Sequence, residues 1–333
     1  MKVMIEKAII PVVWLDTSVY INMAKALDGG KICEVDRCRS LKLYEVIYRK
    51  VREKKLICPL GDQREEIEIG GKHTEKCYAL QSQLSLGIEF CHRKRIEDVQ
   101  FNLAMLAFIR KEEKARLKYT SAFYSDPINT IEEGQQFIVD AVFRPSKEWI
   151  EQKKCEKEKL LGSLNKLKFE SQECRMTFKQ RLEIENLGKF SEIKYALEEA
   201  CELYNGYINP SKDQLYRHAE LRRILYEWGN NRGSGENKEE FIAFLCSPQL
   251  LEMPYYRIRS HMYAKLITND GKIKSGDAMD IDQVSAIIPF CDFVLCDRTM
   301  RNILRELKID DDYSTKIYAA SDCDIFTAEL EKL

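Results

Sequence analysis

The opening residues carry the most legible hydrophobic pattern in the chain. Ile9, Ile10, Val12, Val13, Trp14 and Leu15 form a short apolar run rich in β-branched side chains, the pattern of a strand buried on both faces in a parallel sheet. The run ends at Asp16-Thr17-Ser18, polar side chains suited to capping a helix after it. That helix is expected from about Val19 to Leu27, with Gly29-Gly30 as its stop. A second helix is expected from Ser40: Tyr44, Ile47 and Val51 recur at helical spacing, and its end is basic (Arg49, Lys50, Arg52, Lys54, Lys55), as the helix dipole prefers. Leu56-Ile57-Cys58 reads as a second short strand, broken by Pro59 and Gly61 and followed by Asp62, Glu65, Glu66 and Glu68.

From about Thr74 to Tyr256 the pattern is overwhelmingly helical. Phe101 to Ile109 is a strong apolar helix core, and the Lys- and Glu-rich stretch from Glu148 to Asn205 predicts long amphipathic or hairpin helices with wet outer faces. A loop is expected from Trp228-Gly229 to Gly235-Glu236. The end returns to α/β character. Asp277 to Ile288 predicts a helix, Phe293-Val294-Leu295-Cys296 a strand ending at Asp297, and Arg298 to Leu307 another helix. Lys316 to Ala320 predicts a further strand, and Thr327 to Leu333 a closing helix. Strands alternating with helices imply an α/β fold with a parallel sheet. The expected organisation is an α/β domain split between residues 1–90 and 256–333, with 91–255 as a helical insertion.

Composition narrows the class. The chain has 333 residues, 44% hydrophobic and 32% charged, with a formal net charge of −1. That balance gives no reason for indiscriminate polyanion binding but allows a local basic patch beside an acidic site. The apolar stretch from Ala8 to Leu15 is far too short to span a membrane and lacks a signal-peptide cleavage pattern. The 12 cysteines form no small-domain framework, and Cys33 and Cys38 are followed by no Cys or His pair at zinc-finger spacing. They are read as reduced thiols of a cytoplasmic protein. His73, His92, His218 and His261 show no metal-ligand spacing, and serine-hydrolase, P-loop and dinucleotide-binding motifs do not occur.

The acids carry the chemistry. Asp16 and Asp297 both end apolar strands, and Glu65, Glu66 and Glu68 come just after a third. In an open parallel sheet, ligands gather at the carboxyl ends of the strands. Asp277 and Asp280, three residues apart at a helix start, face the same way. Each acid alone also suits a helix cap. Together, clustered carboxylates raise one another's pKa, and a hard divalent cation with oxygen ligands relieves that repulsion.

Three segments, VVWLDTSVYI at 12–21, LICPLGDQREEIE at 56–68 and GDAMDIDQVSAIIPFCDFVLCDRTM at 276–300, together resemble the PIN-domain nuclease family. The resemblance implies a PIN-like parallel sheet flanked by helices and hydrolysis of phosphodiester bonds with Mg²⁺ or Mn²⁺, in RNA more than in DNA. It makes Asp16 the first acid and Asp297 the last. Asp280 is favoured for the helix acid over Asp277 and Asp282, with Asp277 an additional metal ligand. Glu66 is favoured over Glu65 and Glu68 for the early Glu. It covers about 110 residues at the two ends, leaving the helical insertion to select substrate or a protein partner. A catalytically inactive PIN-like binding or scaffold protein is the alternative, and a flap-type DNA nuclease a third reading. Arg93-Lys94-Arg95, Arg110 to Lys118 and Arg222-Arg223 are candidate backbone contacts and Tyr119, Phe123 and Tyr124 candidate stacking residues. Solvated helix faces and core packing are the plainer readings of both.

Overall fold

A computed structural model describes residues 3–70, 73–134, 145–233 and 237–333. The fold is mixed α/β and mostly helical, with small parallel sheets flanked by helices. Five strands occur among the described residues: β1 (Val3–Glu6), β2 (Val13–Leu15), β3 (Ala115–Lys118), β4 (Phe293–Cys296) and β5 (Lys316–Ala319). The N-terminal helices are α1 (Thr17–Leu27), α2 (Glu34–Arg52), α3 (Gln63–Gly70), α4 (Thr74–Ser85) and α5 (Arg93–Ile109). The middle contributes α6 (Pro127–Glu133), α7 (Lys147–Glu173), α8 (Phe178–Asn186), α9 (Gly188–Tyr204), α10 (Lys212–Arg232), α11 (Lys238–Leu245), α12 (Pro248–Leu251) and α13 (Pro254–Thr268). The end holds α14 (Asp277–Ile287), α15 (Arg298–Glu306), α16 (Ile309–Tyr313) and α17 (Cys323–Glu331).

The central sheet runs β2-β4-β5, all parallel, with Val13 opposite Phe293 and Phe293 opposite Lys316. β2 and β4 are apolar throughout because both faces are covered, while the edge strand β5 opens on the exposed Lys316. Val13, Leu15, Phe293 and Leu295 pack into a core with α1, α2, α4 and α17, while Val12, Trp14, Val294 and Cys296 pack into a second core with α5, α13 and α14. The second core continues without a break into the helical middle through Leu164, Ile193, Leu221, Trp228 and Phe244.

Several boundaries differ from the sequence expectation. The first strand keeps only Val13–Leu15 of its apolar run. Leu56–Cys58 forms no named strand: Ile57 exchanges backbone hydrogen bonds with Pro11 and Val13, and Leu60 with Ile88 and Phe90, but Pro59 between them has no N–H to extend a ladder. Helix α2 starts at Glu34, six residues before Ser40, because the Cys33 sulfur accepts the Asp36 amide and caps it. A second parallel pair, β1 with β3, places a strand inside the stretch expected to be helical. Helix α10 runs through most of the expected loop to Arg232 and stops at Gly233 in the left-handed region (φ 71°). Residues 234–236 of that loop lie outside the described residues. Among the described residues no helix is long and apolar enough to cross a membrane.

Candidate metal centre

Parallel pairing of β2 with β4 fixes the frame of the site. The Asp16 amide donates to the Leu295 carbonyl at 2.9 Å, so the chain leaves both strands side by side at their carboxyl ends. Asp16 then caps α1 and Asp297 caps α15. Helix α3 is tied to the same edge: the buried Gln63 side chain donates to the Leu15 carbonyl at 2.9 Å, which sets Glu66 one turn further on. Helix α14 supplies Asp280 on its first turn.

Asp16, Glu66 and Asp280 meet. Each offers a carboxylate oxygen, and these atoms lie within 4.8 Å of one another, all three side chains being half-buried. An octahedral Mg²⁺ with oxygens about 2.1 Å away sets adjacent ligand oxygens about 3 Å apart and opposite ones about 4.2 Å apart. The three acids therefore surround a space in the size range of such an ion. The hydrogen bonds leave oxygens available for an ion: Ser18 Oγ donates to Asp16 Oδ2 and Thr17 Oγ1 to Glu66 Oε2, both at 2.5 Å. The other Glu66 oxygen and both oxygens of Asp280 take no side-chain or backbone donor among the described residues. An all-carboxylate, all-oxygen donor set suits a hard divalent cation.

Electrostatics reflect that geometry. Burial pushes the Asp280 carboxyl up to about 8, and the charges of Glu66, Asp16, Asp297 and Asp277 add to the effect. Asp16 is also raised, by burial first, with Ser18 hydrogen bonds opposing it and Asp297 adding to it. Glu66 is raised by burial, against the hydrogen bond from Thr17. No lysine or arginine among the described residues forms an ion pair with any of the three.

The other expected ligands occupy different places. Asp297 and Asp277 stand outside the triad: Asp297 Oδ1 accepts the Thr299 and Met300 amides at 2.6 and 3.1 Å, and Asp277 Oδ2 accepts the Lys274 amide at 2.8 Å. Both still act on Asp280 through their charge. The candidates for the early Glu and the helix acid differ in their partners. Arg93 takes Glu65 in two contacts at 3.2 Å, Tyr78 donates to Glu68, and Arg259 takes Asp282 at 2.8 Å. Glu66 and Asp280 are the members of their groups left facing the triad.

No local pattern marks Gln63 or Arg93 as supports. A polar residue directly after a strand-ending Asp is the one local signal, and it points to Ser18 as well as to Thr17. In the basic runs, Arg93, Lys94 and Arg223 are taken up by ion pairs. Arg93 bridges Asp62 and Glu65; Lys94 holds Glu97, Asp98 and Glu220; Arg223 holds Asp98, Glu220 and Glu227. Phe123 stacks on Phe90 in the core, and Tyr119 donates to Asp126. His92 caps α5 and His261 contacts the Arg257 carbonyl, so neither joins a metal group.

Compared with models of protein families, with curated proteins and with solved structures, the chain matches none.

Proposed function

We propose that this protein is a divalent-metal-dependent endonuclease with a PIN-like catalytic half, hydrolysing phosphodiester bonds in RNA in preference to DNA. The observation that carries the reading is the convergence of Asp16, Glu66 and Asp280 at the carboxyl edge of a parallel sheet, with oxygens within 4.8 Å and, among the described residues, no cation paired to them. The ordered resemblance of the three acidic segments to PIN-domain nucleases supports the choice of reaction and of RNA.

A bound Mg²⁺ or Mn²⁺ supplies an activated water and charge stabilisation at the phosphate. The chain's own contribution is positional. Asp16, Glu66 and Asp280 hold the cation. Thr17 and Ser18 fix two of those carboxylates by occupying one oxygen of each. Asp297 and Asp277 deepen the negative potential that draws the ion in, and the helical middle provides surface for the substrate or a protein partner.

The test is Mn²⁺-dependent cleavage of end-labelled RNA and DNA, side by side, by wild type, Asp16→Asn and Asp280→Asn. Loss of a metal ligand is expected to lower the rate by about 10³-fold or more, since the ion supplies most of the charge stabilisation, with folding retained by circular dichroism. Full activity in both variants would refute the site. A wild type that binds Mn²⁺ yet cleaves neither polymer would favour the non-catalytic binding module.

A further inference from the structure

Helix α7 spans the distance between the two helices that supply Glu66 and Asp280. Near its start, Lys153 lies 3.8 Å from Glu65, next to Glu66 on α3. Near its end, Lys168 donates to the carbonyls of Leu266, Asn269 and Gly271, just ahead of α14. Between those anchors Lys157 lies one turn along α7 from Lys153, on the same face of the helix.

The inward face of α7 is Ile150, Lys153, Lys157, Leu161, Leu164, Lys168 and Ser171, spaced three and four apart and buried or half-buried among exposed neighbours. A stripe of this kind is ordinarily apolar, so each inward lysine calls for a partner. Lys168 has three backbone carbonyls. Lys153 has Glu65 and Glu156. Lys157 has no ion-pair or hydrogen-bond partner among the described residues, yet its charge acts on Glu66, opposing the burial that raises that carboxyl. It is a half-buried lysine whose charge reaches an acidic residue without contacting it, a position in which a bound group carrying negative charge would sit between the two.

Resting on the metal-nuclease reading, we propose that Lys157 is a substrate-binding residue. Its ammonium takes a non-bridging oxygen of the phosphodiester held against Asp16, Glu66 and Asp280, so α7 supplies the cationic wall of a site whose acidic wall comes from α3, α14 and the end of β2. The ligand is the phosphodiester that the metal-nuclease reading assigns to this site, with one non-bridging oxygen toward the metal side and the other toward the lysine.

The experiment compares wild type, Lys157→Met and Lys157→Arg. Mn²⁺ binding is read by calorimetry, and binding of a labelled single-stranded RNA by fluorescence anisotropy, in Ca²⁺ to slow cleavage and across a salt series. Lys157→Met should weaken RNA binding about tenfold, as loss of one charge-assisted contact does, and lower the salt slope by about 0.7, the value for one phosphate contact on a single strand. Its Mn²⁺ affinity should be unchanged or tighter, its stability equal or higher, and Lys157→Arg should recover most of the RNA affinity. RNA affinity and salt slope unchanged in Lys157→Met would overturn the proposal while leaving the metal centre standing, as would Mn²⁺ binding by a wild type that does not bind RNA. A wild type that binds neither Mn²⁺ nor RNA would overturn both.

Discussion

Two groups of buried acids flank α14, and they are treated in opposite ways. On one side, around a cavity of about 520 Å³ lined by Lys94, Glu97, Lys189, Tyr256, Arg259 and Asp282, each acid has a cation. Glu97 contacts Lys189 at 3.0 Å and Lys94 at 3.3 Å and accepts from Tyr256 at 3.1 Å, and Arg259 holds Asp282 at 2.8 Å. Burial alone would raise Glu97, but Lys189 and Lys94 bring it below the usual carboxylate range. On the other side, two positions earlier on α14 and so on the opposite face, Asp280 joins Asp16 and Glu66 with no cation paired to it among the described residues and is pushed up to about 8. The same chain neutralises buried carboxylates where they serve structure. Three carboxylates left together at a strand edge without an ion pair among the described residues are the feature that the proposed metal site accounts for.

This contrast can be broken most sharply at Lys189. Lys189→Met leaves Glu97 a buried charge short of one partner, and is expected to cost about 3 kcal/mol in denaturant unfolding. Asp280→Asn should do the reverse. Removing one of three crowded acids is expected to stabilise the metal-free protein by about 1–2 kcal/mol near pH 8. Equal destabilisation by the two substitutions would erase the distinction between the regions.

The pH dependence sharpens the same point. With its pKa raised from 3.8 to about 8, Asp280 keeps a proton in the folded chain that the unfolded chain releases. Metal-free stability contributed by this group therefore falls as pH rises from about 4 to about 8, because the folded state binds the extra proton throughout that window. Thermal melts of metal-free wild type should decline across that range relative to Asp280→Asn, and added Mn²⁺ should raise the midpoint more near pH 8 than near pH 6. A flat difference between the two proteins would contradict the assignment. The smallest effect is expected at Glu68, which accepts from Tyr78 away from the triad. Glu68→Gln should change stability by less than about 0.5 kcal/mol and leave Mn²⁺ affinity untouched in the same titration that reports Asp280→Asn.

Legibility in the sequence depends on which interactions are local. The strand over Phe293–Cys296 and the helices on either side of it are legible because all four strand residues are buried and Asp297 caps the helix beginning at Arg298. The chain order of strand, acid and helix at Asp16 is legible for the same reason. β1 and β3 are not: Val3–Glu6 and Ala115–Lys118 each have four residues with exposed alternate positions, too short and polar to separate from helix. The choice among Glu65, Glu66 and Glu68 lies within little more than one helical turn, where hydrophobic periodicity has no resolving power. It is made by Arg93 and Tyr78, which claim two of the three from other helices. Arg259 decides between Asp280 and Asp282 in the same way. The shared core of α7, α9, α10 and α11 with the sheet face depends on contacts that no local pattern encodes.

The central claim is that Asp16, Glu66 and Asp280 form one divalent-cation site, and titration calorimetry of Mn²⁺ tests it most directly. Run near neutral pH in two buffers of different ionisation heat, the wild type should bind Mn²⁺ and release protons as the ion displaces the proton held by Asp280, while Asp280→Asn should bind at least about tenfold more weakly with less proton release. No Mn²⁺ binding by the wild type, or identical affinity and proton release in the two proteins, would contradict it.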